Sequence, residues 1–489
     1  MENTEQFYQY EEEFRNAIST VDQEGKRIWV YSKKPAGLFH NRRIVVTIIL
    51  LLLFFSGPFI RVNGQPFLLF NIFERKFIVF GQVFWPQDFI LLAISLITFF
   101  VFVILFTVVF GRIWCGWACP QTLFMEMVFR KIEYWIEGDA NQQRRLNQAP
   151  WTKDKIIRKA GKQMIFLLIS VIIAHTALAY LIGMDQVIEI VQQPPSHNIS
   201  GFFGLTTFTG VFYFVFAWFR EQACIAVCPY GRLQGVLLGK ESIVVAYDWL
   251  RGEPRGKIKK DQPNVSKGDC IDCKLCVHVC PTGIDIRHGT QLECVNCTAC
   301  VDACDEVMLK IGKPKGLIRY ASHNSIARRV QKLFSGRVAA YSVVLLALLS
   351  LFGFLIFTRS TVETTLLRVP GTLFQKSDDG FVSNLYSIEF VNKSNDDMSL
   401  KVAVREPEGA VIELAGDKAI LVKPGELTKR VCIIKMPMEN IKSAKTRIQV
   451  AVYSNDELLE TVTSSFIGPV KTFRNEEEKK VDKEDIDGK

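Results

Sequence analysis

Twelve of the thirteen cysteines in this chain of 489 residues fall into four compact groups. Two groups read Cys270-x2-Cys273-x2-Cys276-x3-Cys280-Pro281 and Cys294-x2-Cys297-x2-Cys300-x3-Cys304. Thiolates separated by two residues can wrap one corner of an iron–sulfur cube while the intervening N–H groups point at its sulfides and spread its charge. Each run supplies three ligands in this way, and its last cysteine serves the other cube. The expected ligand sets are Cys270, Cys273, Cys276 and Cys304 for one [4Fe–4S] cluster, and Cys280, Cys294, Cys297 and Cys300 for a second. Zinc usually takes ligand pairs set further apart, and disulfides need an oxidising compartment, so the chemistry expected is one-electron transfer. Asp305 stands where the first run has Pro281, a departure that leaves the ligand in place.

The other two groups are Cys115-x3-Cys119-Pro120 and Cys224-x3-Cys228-Pro229. Each follows an aromatic residue and an arginine at the end of an apolar stretch, Phe110-Gly111-Arg112 and Trp218-Phe219-Arg220, so the two look like copies of one unit. Proline disfavours helical angles in the residue before it, so each pair is expected to straddle a helix end. After Pro120, Phe124, Met127, Val128, Ile132 and Trp135 recur at helical spacing around Arg130, Lys131 and Glu133, the pattern of an amphipathic helix at a membrane interface. If the two units pack together, Cys115, Cys119, Cys224 and Cys228 converge. Such a soft site suits Cu(I), a third cluster or a pair of redox dithiols; the alternative is that these cysteines pack as small apolar residues.

The elements that must position these thiols are membrane helices. Stretches nearly free of charge run over 44–60, 89–110, 164–182, 202–219 and 338–358, each long enough to cross a bilayer. Lys33, Lys34, Arg42 and Arg43 precede the first, which places the N-terminus in the cytoplasm and argues against a cleaved signal peptide. The segment after the second stretch is rich in Lys and Arg, whereas 183–201 has neither. The cysteine runs then face the reducing cytoplasm, and everything after Thr358 is exported. The net charge of +9 reflects this bias and not nucleic-acid binding.

The expected organisation is a multi-domain membrane protein. A cytoplasmic segment, 1–43, leads into a four-helix membrane region, 44–219, with both C-x3-C-P units. A cytoplasmic segment, 220–337, carries a two-cluster ferredoxin domain at about 262–312. The fifth membrane helix, 338–358, is followed by an exported domain, 369–470, and a charged, disordered tail, 471–489. Strand-like runs at 385–391, 400–404, 411–414 and 448–453, broken at Asn395, Gly409, Gly416 and Pro424-Gly425, predict a β-sandwich there with no catalytic constellation. Cys432 reads as a buried strand residue. His175 lies within the third stretch without a histidine partner, which argues against bis-histidine haem and leaves packing or hydrogen bonding against copper or quinone contact.

Taken together, Trp114-Cys-Gly-Trp-Ala-Cys-Pro-Gln-Thr122, His175-Thr176, Ala179-Tyr180, Arg220-Glu-Gln-Ala-Cys224 through Cys228-Pro-Tyr-Gly-Arg232, both cysteine runs and the terminal sandwich resemble the CcoG-type cytochrome c oxidase accessory proteins, also called FixG or RdxA, over nearly the full length. The resemblance implies a bacterial inner-membrane protein with two [4Fe–4S] clusters and an Ig-like exported domain. It implies reduction of Cu(II) to Cu(I) for the copper centre of cbb₃-type oxidase, with Cys115, Cys119, Cys224 and Cys228 as copper-handling or redox thiols. The implied partners are the bilayer, copper ions, oxidase assembly factors or copper chaperones and an electron donor; whether a second copy of the chain joins them as a homodimer stays open. Related membrane ferredoxins that carry electrons from quinol to periplasmic reductases share the cysteine motifs and lack the exported sandwich. A non-redox assembly scaffold is the remaining alternative.

Overall fold

The computed structural model describes residues 26–469 apart from 63, 86–87, 258–266, 331–333, 372, 378, 395, 417–419 and 442, together with Thr20 and Glu24. The tail 471–489, the first nineteen residues and the turn at Asn395 lie outside the described residues. Among these residues five helices are long and apolar enough to span a bilayer: Leu38–Phe59, Phe89–Phe110, Lys153–Ile182, Ile199–Phe219 and Gly336–Phe357. All five expected spans are present. The third begins at Lys153 rather than at Met164. Thr152 caps it, and the Lys155 ammonium donates to the carbonyls of Asn147 and Ala149, which end the preceding helix Ala140–Gln148. Helix geometry is thus continued by capping and tertiary bonds where the apolar pattern has stopped.

The duplication is visible in the backbone. The second span ends at Gly111 with φ 55° and ψ −128°, and the fourth ends at Arg220 with φ 54° and ψ −124°. Each is followed by a short helical segment, Ile113–Trp117 or Ala223–Val227, and then by a cysteine in extended conformation directly before a proline that opens a new helix, Pro120–Phe124 or Pro229–Leu237. Proline suits this first helical position because its missing N–H would have no partner there.

Beyond Pro120 the chain stays helical through Met125–Phe129 and Arg130–Ile136. Its charged side chains are not all turned to water. Leu123, Phe124 and Phe129 pack with Phe166, Ile173 and Phe216 of the third and fourth spans. On the other side Arg130 and Glu133 are buried as well, whereas Trp135, expected on the apolar face, is 79% exposed. Ion pairing accounts for this correction: Arg130 meets Glu126 and Glu221, Arg220 meets Glu133, and Lys162 bridges Glu133 and Glu137. Burial opposes the charge of Glu133, yet Arg220, Lys162 and Arg130 hold its carboxyl below the ordinary range.

The cysteine runs fold with a two-stranded antiparallel sheet, Val244–Tyr247 against Ile318–Ala321, whose strands lie outside 262–312. Val245, Ile284, Ile286, Val301, Met308 and Ile318 form the core beneath them.

The C-terminal unit is a sandwich of two antiparallel sheets. One has the order Val411–Leu414, Leu427–Pro437, Phe381–Asn392, Val362–Arg368, with Gln375–Lys376 beside Phe381–Asn392; the other has Ile420–Val422, Met398–Glu406, Lys445–Ser454, Glu457–Ile467. Alternating residues such as Tyr386, Ile388, Phe390 and Phe466 fill the space between the sheets. Gly409, Gly416 and Gly425 take positive φ at the expected turns. Cys432 is fully buried among these side chains, where burial pushes its thiol up to about 12, the state of an inert packing residue.

Candidate iron–sulfur and thiol site

All thirteen cysteines are free. Cys270, Cys273, Cys276 and Cys304 line one cavity. Cys280, Cys294, Cys297 and Cys300 line a second, with Cys276 at its edge. The last cysteine of each run has therefore crossed to the first three of the other, the arrangement expected from the spacing.

The backbone of the two runs is matched residue by residue. Asp272 and Lys274 flank Cys273 with φ 54° and 56°, and Asn296 and Thr298 flank Cys297 with φ 54° and 64°. Left-handed backbone at non-glycine residues is uncommon and marks functional loops, and alternation with right-handed residues turns successive N–H groups into an anion-binding concavity. Among the described residues no three His, Cys, Asp or Glu side chains stand close enough to share one metal ion. Two anion-cradling pockets, each rimmed by four thiols too far apart for a zinc tetrahedron, fit a larger polynuclear cluster. Burial pushes the thiols of Cys276, Cys294 and Cys304 up to about 12, so loading must displace their protons. Cys273 is the one exposed thiol of the eight.

The two C-x3-C-P units face each other and cross-contact. Thr122, after Cys119, lies 3.9 Å from the sulfur of Cys224, and Gln234, after Cys228, directs its amide at the sulfur of Cys115 over 3.6 Å. Cys115 interacts electrostatically with Cys119 and Cys228, and Cys224 with all three others. The four thiols thus share one neighbourhood, although no three of them stand close enough to hold one ion together. Burial lifts Cys115 to about 11 and Cys224 to about 12.

This thiol group abuts the second cavity. A Cβ on Gly116 would stand 2.5 Å from the carbonyl oxygen of Val295 and 2.6 Å from that of Asn296, so only glycine lets the loop between Cys115 and Cys119 rest on the loop between Cys294 and Cys297. The indole N–H of Trp117 donates to the hydroxyl of Tyr320 at 2.9 Å, and that hydroxyl donates to the carbonyl of Asn296 at 3.2 Å. Buried Arg43 donates to the carbonyl of Gly116 at 2.6 Å, and Arg112 ties the carbonyls of Leu292 and Gly231 together. At the far edge of the second run, the carboxylate of Asp302 accepts from the backbone N–H of Phe39 at 3.0 Å and of His40 at 2.7 Å, capping the first span from outside it. Gly37 leaves room for this carboxylate; a Cβ there would lie 2.3 Å from Asp302 Cγ. His175 donates from Nδ1 to the Val171 carbonyl one helical turn back, at 2.7 Å.

None of these bridging residues was marked by the cysteine spacing. The signal that could have found Gly116 is that the equivalent position in the second unit holds Ile225.

A model described as a 4Fe-4S dicluster domain matches residues 219–323, a 4Fe-4S binding domain matches 92–138, and an IG-like fold at the C-terminus of FixG matches 352–469. Protein RdxB of Cereibacter sphaeroides is 35% identical over 431 residues, covering 84% of this chain and 89% of the relative. Protein RdxA of the same organism is 34% identical, covering 80% and 85%, and nitrogen fixation protein FixG of Rhizobium meliloti is 30% identical, covering 86% and 88%. A solved FixG-related protein from Vibrio parahaemolyticus aligns over 23% of this chain and all of its own, at 23% identity and a TM-score of 0.20.

Proposed function

The chain belongs to the FixG, RdxA and RdxB family of membrane iron–sulfur proteins, and from that premise we propose that it reduces Cu(II) to Cu(I) during assembly of a cbb₃-type cytochrome oxidase. Cys270, Cys273, Cys276 and Cys304 hold one [4Fe–4S] cluster, and Cys280, Cys294, Cys297 and Cys300 the other. When bound, these clusters supply one-electron steps at reducing potentials. The exposed Cys273 edge faces a cytoplasmic one-electron donor, and the thiol group at Cys115, Cys119, Cys224 and Cys228 receives copper. Each Cu(II) takes one electron from the reduced protein, and the thiolates favour the Cu(I) formed. The sandwich is exported and meets assembly factors or copper chaperones.

The observation that carries this reading is the rest of Gly116 on Val295 and Asn296, which brings the copper-facing loop against the second cysteine run. The match of residues 92–138 to a 4Fe-4S binding domain favours a second reading, in which Cys115, Cys119, Cys224 and Cys228 carry a third cluster.

Anaerobically purified protein should contain about eight irons, and once chemically reduced it should regain the colour of its oxidised clusters on adding Cu(II), with one Cu(I) formed for each electron given up. Replacing Cys119 and Cys228 by Ala should leave the iron and abolish most copper reduction; unchanged reduction removes those thiols from the path. About twelve irons in the wild type, falling to about eight in that variant, would establish the third cluster. Oxidation by a quinone but not by Cu(II) would make the chain a quinol-linked conduit, and inertness toward both would leave a scaffold.

A further inference from the structure

The two cysteine cavities have the same backbone and unlike surroundings. Beside the first, Arg287 comes within reach of Cys276, but its guanidinium is taken by Asp285 at 2.6 Å and Asp272 at 2.5 Å, and Asp305 adds a further negative charge near Cys304. Beside the second stand Arg43, within electrostatic reach of Cys297, and Arg112, within reach of Cys294. Both are 95% or more buried, and the bonds they make go to neutral carbonyls: Gly116 for Arg43, Leu292 and Gly231 for Arg112. Nη2 of Arg43 and Nε of Arg112 have no hydrogen-bond partner. The nearby carboxylate on this side, Glu126, is already paired with Arg130.

Two buried guanidinium groups without a carboxylate are costly unless an anion stands beside them. A cluster with four thiolate ligands is such an anion, and it gains one more negative charge on reduction. A fixed positive charge nearby stabilises the reduced form more than the oxidised one, and does so strongly where water is excluded. At the first cavity Asp285, Asp272 and Asp305 oppose the same effect.

We propose that Arg43 and Arg112 are the counter-charges of the cluster held by Cys280, Cys294, Cys297 and Cys300, and that they make it the more easily reduced of the two. An electron stored in the protein then rests on the side that touches the Cys115–Cys119 loop, and not on the side exposed at Cys273. This inference rests on the electron-transfer reading above. Arg43 and Arg112 act through the cluster as tuning and positioning residues.

The test is a redox titration of the anaerobic, iron-replete protein in detergent without copper, followed by electron paramagnetic resonance. The wild type should show two unequal one-electron potentials. Arg43→Gln should lower the equilibrium constant for reducing one cluster by about tenfold or more, about 59 mV for one electron, and leave the other in place. Arg112→Gln should move the same signal the same way, Arg43→Lys should restore most of the shift, and Asp272→Asn should move only the other signal, upward. Full iron content with both potentials unmoved in Arg43→Gln and Arg112→Gln overturns the inference, as does an equal shift of both signals. If Arg43→Gln loses iron, Arg112→Gln decides alone by the same criterion. A wild type without two reducible clusters would instead bring down the function proposed above, a result separate from any shift in the variants.

Discussion

The two C-x3-C-P units share a backbone and almost nothing else. Gly111 and Arg220 occupy the same register, four residues before the first cysteine, and take the same unusual angles. In the first unit the position is crowded, because a Cβ on Gly111 would stand 2.8 Å from a Val244 methyl and 2.9 Å from the Ile243 carbonyl. In the second unit the conformation is borne by an arginine held by two bonds to Glu133, at 3.1 and 2.9 Å, and stacked 4.7 Å from the Trp29 ring. The residues inside the motif divide the same way: Gly116 and Trp117 face the cysteine-run loops, while Ile225 and Ala226 replace them in the other copy. On the proposed electron path the first unit is the one that would transmit, while the second is anchored by its ion pair. A duplicated motif can therefore repeat one backbone around its cysteines while its flanks differ.

The largest effect that would break this division is expected at the anchor. Arg220→Ala takes both hydrogen bonds from the buried Glu133 carboxylate and leaves it Lys162 at 3.5 Å, and should cost about 3 kcal/mol, read as a lowered unfolding temperature in detergent. The reverse exchange has no equivalent, because Gly111 carries no such pair. Next comes the transmitting loop. Gly116→Val forces the loop off Val295 and Asn296, and the longer path should slow Cu(II) reduction severalfold at unchanged iron content. Ile225→Ala, at the same place in the anchoring copy, should change that rate little. Comparable slowing by both would mean that the units are interchangeable. The smallest effect belongs to Trp117→Phe, which deletes the bond to Tyr320 and should cost about 1 kcal/mol of stability. A larger loss would show that the bridge also holds the cysteine-run domain on the membrane bundle.

Much of this was legible in the sequence because it is local. Cysteine spacing and apolar run length are properties of contiguous residues, and they identified the two cysteine cavities and the five spans. The alternation around Cys432 identified its strand for the same reason. What was not legible depends on partners far away in the chain. The helix after Pro120 has a regular amphipathic period, yet Arg130 and Glu133 are buried because Glu221, Arg220 and Lys162 arrive from other helices. Arg43 reads as one of four basic residues that orient the first span, and nothing near it in sequence says that it reaches Gly116, 73 positions on. The alignment of the two units also slips by one residue when matched on arginine, since the backbone pairs Arg220 with Gly111 and not with Arg112.

The cap that Asp302 places on the first span bears on how the chain is made. Ribosomes deliver that helix to the membrane early, yet the carboxylate that completes it arrives more than 260 residues later, on the helix that bears Cys300 and Cys304. Until the second cysteine run has folded, the amides of Phe39 and His40 are left open at the start of that helix. Insertion of the first span and folding of the second cysteine run are thereby joined at one contact.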